Sequence, residues 1–196
     1  MAGNKTKLKF AQVVQELMEE KSLRKITVND IVEKSHMTRQ AFYYHFHDIY
    51  ELLEWTCAYE LFREEPEPAT MKAWILALID HMQDNRKFYR KIYLEFDERL
   101  LEQLLKEEFK KEIRREFFRR NPTDSKWGKE EERDFLRDFL ASSCANYLQK
   151  WICGYHSGTK EIMAQHMIFL MEYMWNGYYA TEKEKKSMKI IAGKYA

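Results

Sequence analysis

Three prolines, six glycines and three cysteines are all that this chain of 196 residues holds of the types that break, bend or staple a backbone. So few breakers leave little room for a turn-rich β architecture. Apolar residues recur at helical spacing almost throughout, which predicts an all-α fold with no competing strand pattern. Cys57, Cys144 and Cys153 are an odd, scattered set, which argues against disulfides and for a reducing compartment. No stretch approaches the roughly 20 apolar residues of a membrane span, and the opening MAGNKTKLKFAQ lacks the apolar centre of a secretory signal. A cytoplasmic protein with no membrane partner is expected. An excess of charge of one sign is missing too: 33 Lys and Arg against 32 Asp and Glu leave a net +1. Any nucleic-acid contact must therefore come from local clustering. Before residue 40 there are Lys5, Lys7, Lys9, Lys21, Arg24, Lys25, Lys34 and Arg39 against Glu16, Glu19, Glu20, Asp30 and Glu33, a modest excess of bases.

The motifs of common catalytic sites are also missing. There is no GxSxG elbow, no P-loop, no GxGxxG after a strand and no HExxH on a helix, so an enzyme is not expected. Carboxylates mostly alternate with bases at helical spacing, as in Glu107-Glu108 with Lys110-Lys111 and Glu112 with Arg115-Glu116, and these read as solvated ion pairs. Lys110, Lys111, Arg114, Arg115, Arg119 and Arg120 share their helix with the stripe Leu101, Leu105, Phe109, Ile113, Phe117, the pattern of an ordinary amphipathic helix. Cys153 and His156, three apart on one helical face, with Cys144 and His166, match no closed zinc spacing, and neither metal nor cofactor is expected. His45 and His47, two apart, point to different helix faces.

What is present is concentrated in Thr27 to Leu53, TVNDIVEKSHMTRQAFYYHFHDIYELL. Thr27 reads as the N-cap of a short helix with Val28, Ile31 and Val32 on its inner face and Asp30 at its positive end. Ser35-His36-Met37 interrupts it, and Thr38 caps a second helix from Arg39 to His45. There Phe42 and Phe46, four apart, pack inward, while Arg39, Gln40, Tyr43, Tyr44 and His45 cover the remaining faces. Asp48 caps a third helix, with Glu51 three positions on. A helix lying in a major groove needs such an outer face, since Arg can bind guanine bidentately, Gln can pair with adenine, and Tyr or His can hold phosphates.

Met37-Thr38-Arg39-Gln40-Ala41-Phe42-Tyr43-Tyr44-His45-Phe46 resembles the recognition-helix signature of the TetR family of bacterial transcription regulators, and the resemblance covers roughly residues 7 to 55. The string His47-Asp48-Ile49-Tyr50-Glu51-Leu52-Leu53-Glu54-Trp55 is similar to the dihydroxyacetone-kinase operon regulators within that family. Three positions depart from the pattern. His36 stands where the family usually has Gly, Ile49 where many members carry a phosphate-clamping Lys, and Gln40 where a small residue is frequent. The resemblance implies a homodimer on a palindromic double-stranded DNA operator. Thr38, Arg39 and Gln40 then touch bases or the nearest phosphates, and Thr27, Tyr43, Tyr44, His45 and His47 hold the backbone.

Periodicity places helices at about 7–20, 27–34, 39–45, 48–63, 69–83, 86–96, 98–120, 130–154 and 160–179, with stops at Glu64-Glu65-Pro66-Glu67-Pro68 and in the polar stretch 121–129 after Asn121-Pro122. The expected organisation is a helix-turn-helix DNA-binding domain at 1–47, a helical regulatory and dimerisation domain at 48–180 and a charged tail at 181–196. Wide apolar stripes on the last two helices exceed the needs of one core, with Phe135, Phe139, Tyr147, Leu148, Trp151 and Ile152 on one, and Ile162, Met163, His166, Met167, Leu170, Tyr173 and Met174 on the other. The resemblance implies that these two helices pair with their symmetry mates in a four-helix bundle, and Phe135, Phe139, Tyr147, Trp151, Met163, Met167, Leu170 and Met174 are the expected interface. It also implies a small-molecule effector in the C-terminal domain or, from the subgroup, a kinase-like protein partner. Trp74, His81, Phe88, Tyr89, Tyr93, Phe96, Phe109, Phe117 and Trp127 could line an effector cavity or form plain core. A helical protein–protein adaptor without DNA binding is the alternative reading. It would tolerate the loss of Arg39 and Tyr43.

Overall fold

Phe10, Val13, Val14 and Leu17 recur at i, i+3, i+4 and i+7, and this inner stripe sets α1 (Ala2–Glu20) across the helices that follow. In the computed structural model, which describes residues 2–61, 70–120 and 130–192, the order continues with α2 (Val28–Ser35), α3 (Arg39–His45), α4 (Ile49–Leu61), α5 (Met71–Asp84), α6 (Arg86–Lys91), α7 (Leu100–Arg120), α8 (Glu130–Cys153) and α9 (Lys160–Ala192). No strand occurs among the described residues. The breakers expected at 64–68 and 121–129, and Trp127, lie outside them.

Helices α1 to α3 close around Phe10, Phe42 and Phe46, whereas α7 and α8 pack along most of their lengths and α5 lies against α9. Helix α4 belongs to both halves. Its buried Leu52, Leu53 and Cys57 join one continuous apolar core running from Phe10 to Trp175. Burial pushes the Cys57 and Cys144 thiols up to about 12 and that of Cys153 up to about 11, so all three remain protonated and inert near neutrality. No helix among the described residues is long and apolar enough to cross a membrane.

Three features differ from the sequence expectation. Residues 86–96 are not one regular helix, because after Lys91 the chain widens into a π-turn, Ile92–Phe96, closed by the Asp97 N–H on the Ile92 carbonyl at 3.1 Å. From 181 onward, where a charged tail is expected, α9 continues to Ala192; the sequence there has neither Gly nor Pro to break the helix. Glu112 and Glu116 are not solvated: both are buried and held by arginines, Glu112 by Arg115 at 2.5 Å and by Arg119, Glu116 by Arg119 at 2.8 Å. A carboxylate taken out of water needs such partners to offset its desolvation.

The π-turn lies on the seam between the halves. Glu95 accepts from the Ser22 hydroxyl and the Leu23 N–H, both at 2.7 Å, and so caps the short 3-10 turn Leu23–Lys25 that leads into α2. Those two bonds, with burial working against them, hold the Glu95 carboxyl below the usual carboxylate range. Lys91 donates to the Met18 and Lys21 carbonyls, neutralising the negative end of α1. Phe96 packs on Tyr50 of α4, ring centres 5.2 Å apart.

Candidate nucleic-acid interface

Each end of the α2–α3 unit is fixed by a local bond that the sequence makes available. At the start of α2 the Thr27 Oγ1 accepts from the Asp30 N–H at 3.2 Å, while the Asp30 carboxylate accepts from both the N–H and the hydroxyl of Thr27 at 2.7 Å. Lys21 adds an ion pair to Asp30 at 2.7 Å. The Lys21 contact and then the Thr27 donors hold the Asp30 carboxyl down to about 2, so this cap persists at any pH above that value. Both donors of Thr27 are thereby committed to α2.

The turn into α3 is made by His36 at φ 55° and ψ 37°. Its N–H reaches the Glu33 carbonyl and the Met37 N–H reaches the Val32 carbonyl, the paired bonds of a Schellman cap. This left-handed conformation costs a side chain with a Cβ about 1 to 2 kcal/mol, and His is among the types that tolerate it. His36→Gly should therefore raise the unfolding free energy by roughly 0.5 to 1 kcal/mol in a denaturant titration, and an unchanged or lower value would show the turn to be unstrained.

Thr38 caps α3 by accepting from the Ala41 N–H at 3.1 Å. Beneath the helix Phe42 and Phe46 are buried against Phe10, with ring centres 5.4 and 6.4 Å from it in edge-to-face contact. Lys7 of α1 sits over the rings of Phe46 and Trp55, at 5.2 and 5.6 Å, a cation–π contact that sequence spacing did not single out. With one face so fixed, the rest of α3 stands outward: Thr38, Arg39, Gln40, Tyr43 and Tyr44 are exposed, Tyr44 at 83%, and His45 is half-buried. His47 is exposed in the following turn, where its N–H is accepted by Glu51, and Asp48 accepts from the Glu51 N–H at 2.9 Å. The side chains from Thr38 to Tyr44 thus form a convex polar ridge one helix wide. Such a ridge fits the major groove, about 12 Å across.

The eight residues expected at a dimer interface separate into three groups. Phe135, Phe139 and Leu170 are exposed, Tyr147 and Met174 are half-buried, and Trp151, Met163 and Met167 lie inside the chain's own core. Helix α9 is apolar on two sides. Met163, Ala164, Met167, Met171 and Trp175 face inward, while Ile162, Phe169, Leu170 and Tyr173 face out together with His166. Phe169, absent from the expected set, stacks on Tyr173 at 6.0 Å, and Phe135 stacks on Phe139 at 6.0 Å. Both of the α9 rings are more than two-thirds exposed.

The aromatic residues that could line an effector cavity or form plain core are spread over separate contacts. Trp74 meets Phe109, Tyr93 meets Tyr155, Phe117 meets Trp175, and the buried Tyr89 hydroxyl bonds His81 Nε2 at 2.8 Å. A groove of about 540 Å³ lies elsewhere, on the outer side of α8, lined by Glu102, Phe135, Asp138, Phe139, Ser142, Ser143 and Asn146. Helix α8 stops at Cys153, so His156 lies beyond it with its ring against Tyr147, and the two do not share one helical face as their spacing suggested. No cluster of three or more His, Cys, Asp or Glu suited to a metal ion is found among the described residues.

Residues 15–55 match the family model of bacterial regulatory proteins, tetR family, and residues 69–173 match that of a transcriptional regulator C-terminal region. No curated protein matches the chain. Among solved structures it is similar to the dihydroxyacetone kinase operon activator DhaS, with a TM-score of 0.69 and 22% identity over 86% of this chain and 95% of that one. It is also similar to a TetR transcriptional regulator from Streptococcus agalactiae 2603V, with a TM-score of 0.57 and 22% identity over 87% of this chain and 95% of that one. With a helix-turn-helix at its head and a C-terminal match spanning more than half its length, the chain belongs to the TetR family of transcriptional regulators.

Proposed function

We propose that this regulator binds a palindromic operator as a homodimer and is controlled by a signal received in α5 to α9. The observation that carries the reading is the ridge on α3, where Arg39, Gln40, Tyr43 and Tyr44 are exposed while Phe42 and Phe46 anchor the helix from behind. Thr38, Arg39 and Gln40, at the helix start, reach deepest into the groove and read bases. Tyr43, Tyr44, His45 and His47 hold phosphates, and Thr27 contributes chiefly by holding α2 in place.

Pairing through the outer stripe of α9, with Phe135 and Phe139 of α8, gives the dimer. It sets two recognition helices about 34 to 36 Å apart, one turn of duplex. The signal is a small molecule or a kinase-like protein partner, and it acts by favouring one spacing of the two heads. Lys91, Glu95 and Phe96 are the contacts through which α6 and its π-turn would pass that preference to α1, α2 and α4. The similarity in fold to an operon activator supports a regulator of transcription.

Arg39→Ala should weaken binding to the preferred duplex by about 1 to 3 kcal/mol and relax discrimination at one base pair, measured by anisotropy on duplexes selected from random DNA at two salt concentrations. A palindrome enriched at the higher salt supports specific two-fold binding. Unchanged affinity after the substitution removes the role given to Arg39, whereas a parent chain that enriches no duplex at either salt concentration favours the adaptor.

A further inference from the structure

We propose that operator binding by this protein takes up protons, the imidazolium forms of His45, His47 and His36 adding positive charge to the stretch from Thr27 to Glu54, where carboxylates outnumber the permanent cations. The inference rests on the DNA-binding reading above and adds a third participant, the proton.

From Thr27 to Glu54 the permanent cations are Lys34 and Arg39, against the carboxylates of Asp30, Glu33, Asp48, Glu51 and Glu54. Lys34 is held by Glu16 and Glu20 of α1, at 3.4 and 2.5 Å. Arg39 is left as the cation of this stretch without an ion pair among the described residues. At the start of α4, where a phosphate could use helix-end N–H groups, those of His47 and Glu51 are already given to the carboxylates of Glu51 and Asp48, and the residue that opens the helix is Ile49. Within this stretch the carboxylates outnumber the permanent cations five to two.

Three of the chain's six histidines fall in this same stretch, one before α3, one at its last residue and one just after it. Among the described residues none of the three rings has a hydrogen bond or an ion pair to the protein. His45 packs between Tyr44 and Phe46, with Lys7 of α1 over the far ring and Trp55 of α4 beyond. Along the chain, His47 adjoins Asp48 and gives its N–H to Glu51, and His36 follows Glu33 and Lys34 of α2. The imidazole nitrogens therefore remain available to an outside acceptor.

Histidine is the side chain whose charge changes between pH 5 and 8, and a phosphate oxygen beside it favours the charged form. A ring that titrates higher in the complex than in the free protein adds affinity that is fully present below its free-state titration. That affinity is lost as pH rises through the bound-state value. A rise of about one unit on contact gives on the order of fivefold tighter binding at pH 6 than at pH 8 for each histidine engaged.

The test uses the full chain and its selected duplex, with affinities measured at pH 6, 7 and 8 at fixed ionic strength. Affinity should rise at least fivefold from pH 8 to pH 6, and the slope of log affinity against log salt should steepen by about 0.9 for each proton taken up. H45Q and H47Q, singly and together, should flatten the pH dependence, whereas H156Q, beyond α8, should keep it. H47R, carrying a permanent charge, should bind more tightly than the parent at pH 8 and respond less to pH. A parent affinity that changes by less than about twofold between pH 6 and 8 overturns the proposal while leaving DNA binding intact. So does a pH response that survives H36Q, H45Q and H47Q together. Absence of specific binding at every pH would instead sink the DNA-binding reading.

Discussion

Replacing Phe42 with alanine should remove roughly 3 to 5 kcal/mol of unfolding free energy and abolish operator binding at 25 °C, although this side chain is fully buried and can touch no base. Phe42 lies 5.4 Å from Phe10 of α1 and 5.9 Å from Phe46, and α3 is only seven residues long. A helix this short has almost no stability of its own, and it keeps its shape because its inner face is pinned. Truncating the pin leaves a void that α1, α2 and α3 cannot all collapse into. Domains of this kind have total stabilities of about 5 to 15 kcal/mol, so the loss is a large share of what holds the ridge together. Denaturant titration with near-UV circular dichroism measures the first effect, and anisotropy on the selected duplex the second. Phe42→Leu, which keeps much of the volume, should retain measurable binding. A loss below about 1 kcal/mol would mean that α3 is positioned by something other than this aromatic cluster.

The reading head was legible in the sequence because its determinants are local. Thr27 with Asp30, Thr38 with Ala41, and Asp48 with Glu51 are caps whose partners lie three residues apart, and each forms the bond its spacing suggests. The inward face of Phe42 and Phe46 follows from helical period alone. Where partners are distant, spacing is silent. Glu95 meets Leu23 across 72 residues and Lys91 meets Met18 across 73, so nothing near either residue marks it as a fastening between the two halves. The π-turn was hidden for the same reason, since its sequence IYLEF is compatible with an ordinary helix and its extra residue makes sense only with Glu95 and Phe96 placed against the head. Burial of Glu112 is not legible from spacing, because an i, i+3 pair with Arg115 has the same sequence signature whether it faces water or the interior.

Helix α9 carries apolar side chains on more than one face. Apolar residues surround much of this helix, so period identifies two stripes without saying which one belongs to the chain's own core. The fold assigns Met163 and Met167 to the inside and leaves Phe169 and Tyr173 standing in solvent, at 68% and 69% exposure. Solvent-facing rings at i and i+4, continued by Ile162 and Leu170, form a patch of the kind that marks an association surface. Phe169→Asp with Tyr173→Asp should leave the fold intact, because neither ring supports the interior, yet give a monomer in sedimentation and lower operator affinity by about 10² to 10⁴. The second head then no longer binds at the high effective concentration that the first provides. Met167→Ala, on the opposite side of the same helix, should do the reverse and cost roughly 2 to 5 kcal/mol of stability through its buried void, with the dimer retained wherever the chain remains folded. A double aspartate variant that still sediments as a dimer would exclude this stripe as the contact. The exposed pair Phe135 and Phe139 on α8, which border the open groove there, would then be the surface to substitute next.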